Sequence, residues 1–273
     1  MAQLLPDEVW QQIRSEFPKQ HPSPKGGRPR VTHRQAVTGI IFVLKTGLPW
    51  NMLPREFGCG SGVTCWRRFH QWMQSGLWER IRLRILKQLA RQGSLDVKRV
   101  VIDSASVRAV AGGAHTGPNP TDRAKKGCKR HIITDANGLP LVVRVGPANE
   151  RDDRRAFGLL DLIPKLNGTH GRLRPTILQG DAGYGFPDLE REVRRRRIEP
   201  LLAPRGKAVR HGSGHGRTRY VVERTLAWFG NFRRLKLCYE RQGEHFQSFH
   251  DLAAMLICSK RLQLTAGGFE TAS

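Results

Sequence analysis

Apolar residues recur with one period in the first third of the chain and with another in the rest. Asp7-Glu-Val-Trp-Gln-Gln-Ile opens an amphipathic helix, and residues 18–29, rich in proline and glycine, interrupt it. Val37, Ile40, Ile41 and Leu44 then follow an i, i+3, i+4, i+7 spacing, which is one face of a helix that Gly47 ends. Gly58-Cys-Gly-Ser-Gly62 reads as a turn. A second face holds Val63, Trp66, Phe69, His70 and Met73, with Arg67 and Arg68 pointing away. Gly76 ends that helix, and a third buries Leu77, Ile81, Ile85, Leu86 and Leu89. Helix, glycine-rich turn and arginine-bearing helix fit a helix-turn-helix. A plain helical bundle with a solvated basic face fits the same pattern.

After a junction at residues 91–98 the pattern becomes short apolar runs. Arg99-Val-Val-Ile-Asp reads as a central strand ending at Asp103. Residues 110–127 read as a loop. Two strands at 130–135 and 139–145 flank the hairpin signal Ala136-Asn-Gly138. A helix over 153–166, a strand from Thr176 to Asp181, a helix over 187–197 and a strand from Glu199 follow. Helices over 218–234 and 248–263 close the chain. The expected architecture is α/β: a mixed sheet flanked by helices in residues 93–273, preceded by an all-helical domain in residues 1–92.

Composition narrows the partners. Lys plus Arg number 47 and Asp plus Glu 23, a net charge of +24 spread over the whole length. So strong a field attracts polyanions, and nucleic acid is the common one. An anionic membrane surface would instead call for one basic amphipathic helix or a polybasic tail. No apolar run is long enough to span a bilayer, and the first residues carry no secretory pattern, so a cytoplasmic protein is expected. The five cysteines form no C-x-x-C pair, which argues against a disulfide framework or a zinc ribbon. Lys25-Gly-Gly-Arg-Pro-Arg30 reads either as a basic arm for a minor groove, through Arg28 and Arg30, or as a linker.

Acidic residues are scarce, so their placement carries weight. Asp103 and Asp181 end apolar strands, and Glu223 sits in a helix beside Val222 and Leu226. A carboxylate in such a place is costly unless it is paired or bound to metal. A salt bridge to arginine answers that cost for any one of them. Three together suit divalent cations, which take hard oxygen ligands and assist phosphoryl transfer in pairs. Arg219, one turn before Glu223, can orient that carboxylate or grip a phosphate. Asp152 reads more readily as a helix cap than as a partner of the carboxylates, and Trp228 as core rather than a stacking platform.

Val101-Ile-Asp-Ser, Gln179-Gly-Asp-Ala-Gly-Tyr and Arg219-Tyr-Val-Val-Glu-Arg-Thr-Leu-Ala-Trp-Phe together resemble the DDE transposases of the insertion sequence 5 family. Residues 127–141, residues 48–78 and Tyr239-Glu-Arg241 extend the resemblance over nearly the whole chain. It implies a ribonuclease H-like catalytic fold, with Asp103, Asp181 and Glu223 as catalytic and metal-binding triad. It also implies two divalent cations (Mg²⁺, with Mn²⁺ able to substitute), double-stranded DNA as partner, and a homo-oligomer on that DNA. A broader family signature places Tyr and Lys where Gly216 and Gly230 stand here, so Arg233, Arg234 or Lys236 take the Lys's part on the backbone. The DNA contacts expected are Arg28, Arg30, Arg67, Arg68, Arg219, Arg233, Arg234 and Lys236. A DNA-binding protein without catalysis, a nuclease on the same fold and a basic RNA-binding protein are the rival readings.

With this charge, binding to element ends should weaken by about 10³ or more between about 50 and 200 mM salt. Filter binding across that range measures it, and a flat response contradicts an electrostatic interface.

Overall fold

A computed structural model describes residues 4–20, 29–204 and 215–267. The amino-terminal helices are α1 (Asp7–Ile13), α2 (His33–Thr46), α3 (Gly62–Gln74) and α4 (Leu77–Arg91). Thr32 opens α2 with a reciprocal cap: its hydroxyl accepts from the Gln35 N–H, and the Gln35 side chain accepts from the Thr32 N–H. Gly47 closes α2 at φ 74°, a left-handed position that glycine takes without strain. Val37, Ile40, Ile41 and Leu44 are buried as the spacing requires, and so are the five expected residues of α4.

The α3 face is rotated from the expected one. Val63 and Trp66 are exposed, at 51% and 38%, while Cys65, Phe69 and Trp72 are buried. Aromatic packing decides the rotation. The Phe69 ring stacks on Phe249 at 4.3 Å, and Trp72 meets Phe17 edge-on at 5.0 Å. The link from α2 to α3 is also not a short turn. It spans residues 47–61 and holds 3-10 turns at Trp50–Met52 and Arg55–Phe57. Gly62 starts α3 against the Trp50 carbonyl, where any Cβ would collide.

The rest of the chain builds a mixed sheet. Its strands are β1 (Arg99–Arg108), β2 (Gly117–Pro118), β3 (Lys126–Thr134), β4 (Pro140–Pro147), β7 (Ile177–Gly180) and β8 (Glu199–Leu202). A separate hairpin pairs β5 (Leu166–Gly168) with β6 (Gly171–Leu173). The main order is β4-β3-β1-β7-β8, with β2 on the end of β3. β3 is antiparallel to its neighbours β1 and β4, whereas β1, β7 and β8 run parallel. Helices α5 (Asp152–Asp161) and α6 (Pro187–Arg195) contact β3 and β8, while α7 (His215–Gly230) contacts β1 and β3, and α8 (Gly243–Gly267) contacts β4. This is the mixed sheet flanked by helices that the ribonuclease H-like expectation requires. No helix among the described residues is long and apolar enough to cross a membrane.

One buried ion pair joins the amino-terminal helices to the sheet. Arg82 of α4 donates from Nε to Asp251 of α8 at 3.0 Å and from Nη1 to the Leu141 carbonyl of β4 at 2.6 Å. Arg82 is 2% exposed and Asp251 5%. Burial pushes the Asp251 carboxyl up, while Arg82 and Arg144 oppose that shift. Arg144 of β4 also bonds Glu79 of α4 at 2.6 Å.

Removing one partner leaves the other charge buried and alone, at a cost of about 3–5 kcal/mol. Arg82→Ala should therefore lower the urea midpoint sharply, and the double variant Arg82→Met/Asp251→Leu should recover much of the loss. A single variant as stable as the parent contradicts the role of the pair.

Candidate active site

Parallel pairing sets two carboxylates side by side. Val101 of β1 pairs with Gln179 of β7. Two residues further along each chain stand Asp103 and Asp181, at the same level and half-buried. Asp103 lies inside β1 rather than at its end, because β1 continues to Arg108 against β3. The Ser104 N–H donates to Asp103 Oδ1 at 2.7 Å, and the Gly183 N–H to Asp181 Oδ1 at 2.9 Å. Gly183 stands between two acids. A Cβ there would lie 3.0 Å from Asp181 Oδ1 and 3.7 Å from Asp152 Oδ2.

Tyr184 is the centre of this group. Its ring is 1% exposed. Burial, then Asp152, Asp103 and Asp181 in that order, raise its hydroxyl well above the usual phenol value. The hydroxyl therefore keeps its proton and stays neutral.

Asp152 is not the cap expected of it. It is the first residue of α5, and its Oδ1 accepts from the Ser104 hydroxyl at 2.8 Å and from Lys129 Nζ at 3.2 Å. Lys129 also donates to the Glu150 carbonyl at 2.9 Å. His131 lies beneath, fully buried, with Nδ1 3.6 Å from Asp152 and Nε2 3.8 Å from Glu150. Burial drives the imidazole down to about 3 against the opposing pull of Asp152. Lys129, Glu150 and Asp152 border a cleft of about 580 Å³, which Ala182, Gly183 and Phe186 also line. Sequence reasoning missed Ser104, Lys129, His131 and Tyr184. The signals were present as Ser104 directly after Asp103, and as the tyrosine of Asp-Ala-Gly-Tyr.

Glu223 is exposed on α7, the helix that lies against β1. No three His, Cys, Asp or Glu side chains among the described residues approach closely enough to hold a metal ion. The donor chemistry of Asp103 and Asp181 fits a hard divalent cation. The arrangement thus unites two of the three expected ligands and leaves Glu223 apart from them.

The expected DNA contacts divide. Arg30, Arg67, Arg233 and Lys236 are exposed. Arg68 turns inward, donating to the Val31 carbonyl at 3.1 Å and lying 2.7 Å from His33 Nδ1. Arg234 is buried and bonds Glu240 at 2.6 and 2.9 Å, so its guanidinium is committed within the fold. Arg28 lies outside the described residues, and the helix α7 carries Arg219.

Residues 96–258 match the family described as "Transposase DDE domain", and residues 5–82 match "Putative transposase of IS4/5 family (DUF4096)". The chain belongs to the DDE-domain transposases, and its activity is that class's DNA transposition. It is 43% identical over 168 residues, 61% of this chain and 77% of the relative, to a putative transposase for insertion sequence element IS402 of Burkholderia cepacia. It is 44% identical over 119 residues, 43% of this chain and 81% of the relative, to an uncharacterized 16.2 kDa protein of the same element. The solved Mos1 mariner paired end complex with Mn overlaps at a TM-score of 0.26 and 10% identity, covering 93% of this chain and 86% of that one, which is too slight to argue from. Divalent-metal dependence goes with the family.

His131 and His250 are both held near 3 by burial, so neither should take up a proton between about pH 5 and 8. Unfolding releases them to the ordinary histidine value of 6.5. Below that value the unfolded chain binds more protons, so stability should fall as pH drops from 6.5 toward 3. Imidazole nitrogen NMR tests this, and titration of either ring near neutrality contradicts the burial.

Proposed function

We propose that the chain binds the ends of an insertion sequence and there cuts and rejoins phosphodiester bonds, with Asp103, Asp181 and Glu223 as the catalytic carboxylates. The observation that carries this reading is the level placement of Asp103 in β1 and Asp181 directly after the parallel strand β7, with Tyr184 buried near both. Glu223 joins them by its place in the Val222-Glu-Arg-Thr motif and by the contact of α7 with β1. In this reading Asp103, Asp181 and Glu223 would hold two Mg²⁺ ions, for which Mn²⁺ could substitute. Divalent cations at such carboxylates neutralise charge on the attacking and leaving oxygens of a phosphodiester.

The chain's own groups prepare the place. Adjacent carboxylates repel, and that repulsion favours a bound cation over an empty pair. Ser104 and Lys129 fix Asp152 behind them, and Tyr184 is buried beside the carboxylates without adding charge. Exposed Arg30, Arg67, Arg233 and Lys236 are offered to DNA phosphates, with Arg28 and Arg219 as further contacts. Residues 1–92 act as the helix-turn-helix-like DNA-binding domain and residues 93–273 as the catalytic one. The protein works as a homo-oligomer on double-stranded DNA, in the cytoplasm.

The test is a cleavage and joining assay on labelled DNA ends beside a binding assay. Asp103→Asn, Asp181→Asn and Glu223→Gln should each lower cleavage by about a hundredfold or more while end binding persists. Chelator should abolish cleavage and joining alike. A variant that cleaves like the parent removes that residue from the triad, and cleavage without joined products favours a nuclease.

A further inference from the structure

A second cleft, of about 780 Å³, opens where the amino-terminal helices meet α7 and α8. Its walls come from distant parts of the chain. Lys45 belongs to the last turn of α2, Asn137 to the β3–β4 hairpin, Arg224 and Trp228 to α7, and Lys260 to α8. Leu139, Phe232 and Leu256 give it an apolar side.

The cleft's charge is one-sided. No carboxylate lines it among the described residues. Lys45 and Lys260 both line it, near enough for the charge of one to act on the other. Partial burial lowers the Lys45 ammonium from its ordinary value, and the charge of Lys260 lowers it further. Arg224 donates to the Asn137 carbonyl at 2.6 Å and lies over the Trp228 ring at 4.9 Å, yet its Nε is buried with no partner. Cations gathered around one cleft, with a buried guanidinium nitrogen in its wall, favour an anion there.

We propose that this cleft is a binding site for the DNA backbone, in which Lys45 and Lys260 hold one phosphate between them and the Arg224–Trp228 wall takes the adjoining deoxyribose. The proposal rests on the reading of the chain as a DNA-end-binding transposase. Volume supports it, since the space suits a small ligand or a short stretch of backbone. Position supports it as well, because a strand seated there touches the amino-terminal helices, the β3–β4 hairpin and the helix that carries Glu223. Site and triad helix would then be coupled through bound DNA.

The experiment uses the full chain and a duplex carrying the DNA that flanks its reading frame. Lysines are acylated with and without duplex, and the extent at each is read by mass spectrometry. Lys45 and Lys260 should be protected several-fold by duplex, while exposed Lys165 is not. Inorganic phosphate or a free nucleoside triphosphate should protect them only at far higher concentration. Lys45→Gln/Lys260→Gln should make the slope of log K against log salt less negative by about 1. Its melting temperature should stay level or rise, because a repulsion is removed. Equal acylation with and without saturating duplex overturns the site, and so does an unchanged salt slope. Protection by free triphosphate at the concentration effective for duplex reassigns the cleft to a soluble nucleotide and overturns the backbone reading. Protection by an acidic peptide as strong as by duplex overturns it in favour of a protein partner. A parent chain that binds no duplex sinks this proposal and the end-binding reading together, whereas duplex binding with unprotected lysines sinks this proposal alone.

Discussion

The structure depends on the charge buried at Arg82 and Asp251. Neither group reaches water, so each must be satisfied by the other and by its neighbours. Arg82 spans α4, α8 and the edge strand β4 in a single side chain. Gln247, one turn before Asp251, donates to the Val143 carbonyl and to Asp251, and accepts from the Val145 N–H. Helix α8 is therefore fixed in register on the sheet and on the amino-terminal helices at once. His70 and His245, 2.9 Å apart, add a polar tie between α3 and α8, and the Phe69–Phe249 stack an apolar one. One hydrophobic cluster runs through all of these helices into the sheet.

That rigidity bears on the site because Asp103 stands within β1 and Asp181 directly after β7. Asp103 and Asp181 owe their common level to the β1–β7 register, and Tyr184 is buried in their neighbourhood. Acids concentrated at one point of a chain with net charge +24 make a local inversion of the surrounding field. The outer field draws in a polyanion. Acids held close together there repel one another unless a cation or a proton compensates them.

Much of this was legible in the sequence, and the rest had physical reasons to stay hidden. The helices at Val37–Leu44 and Leu77–Leu89 and the hairpin at Ala136–Gly138 follow from local periodicity and turn chemistry, and the structure has them. Asp103 and Asp181 stood out because acids are rare here and apolar strands precede them. Their common level could not be read, since it depends on pairing between residues far apart in the chain. The α3 face was misjudged because Val63 and Trp66 are apolar, whereas burial there is decided by aromatic partners such as Phe17 and Phe249. Arg68 and Arg234 looked like free cations, because nothing in their neighbourhoods announces His33 or the turn back to Glu240. Asp152 looked like a cap until Ser104 and Lys129 were brought to it by the sheet.

The central claim is that these carboxylates, and not other acids of the chain, hold the divalent cations. Fe²⁺ can replace Mg²⁺ at such oxygen sites and, with ascorbate and peroxide, generates hydroxyl radicals that cut the polypeptide beside the bound ion. Applied to the DNA-bound protein, the measurement should yield fragments ending near residues 103, 181 and 223, suppressed by excess Mg²⁺ and lost in Asp103→Asn. Cuts confined to other acidic positions, or cuts unchanged in Asp103→Asn, would contradict the account.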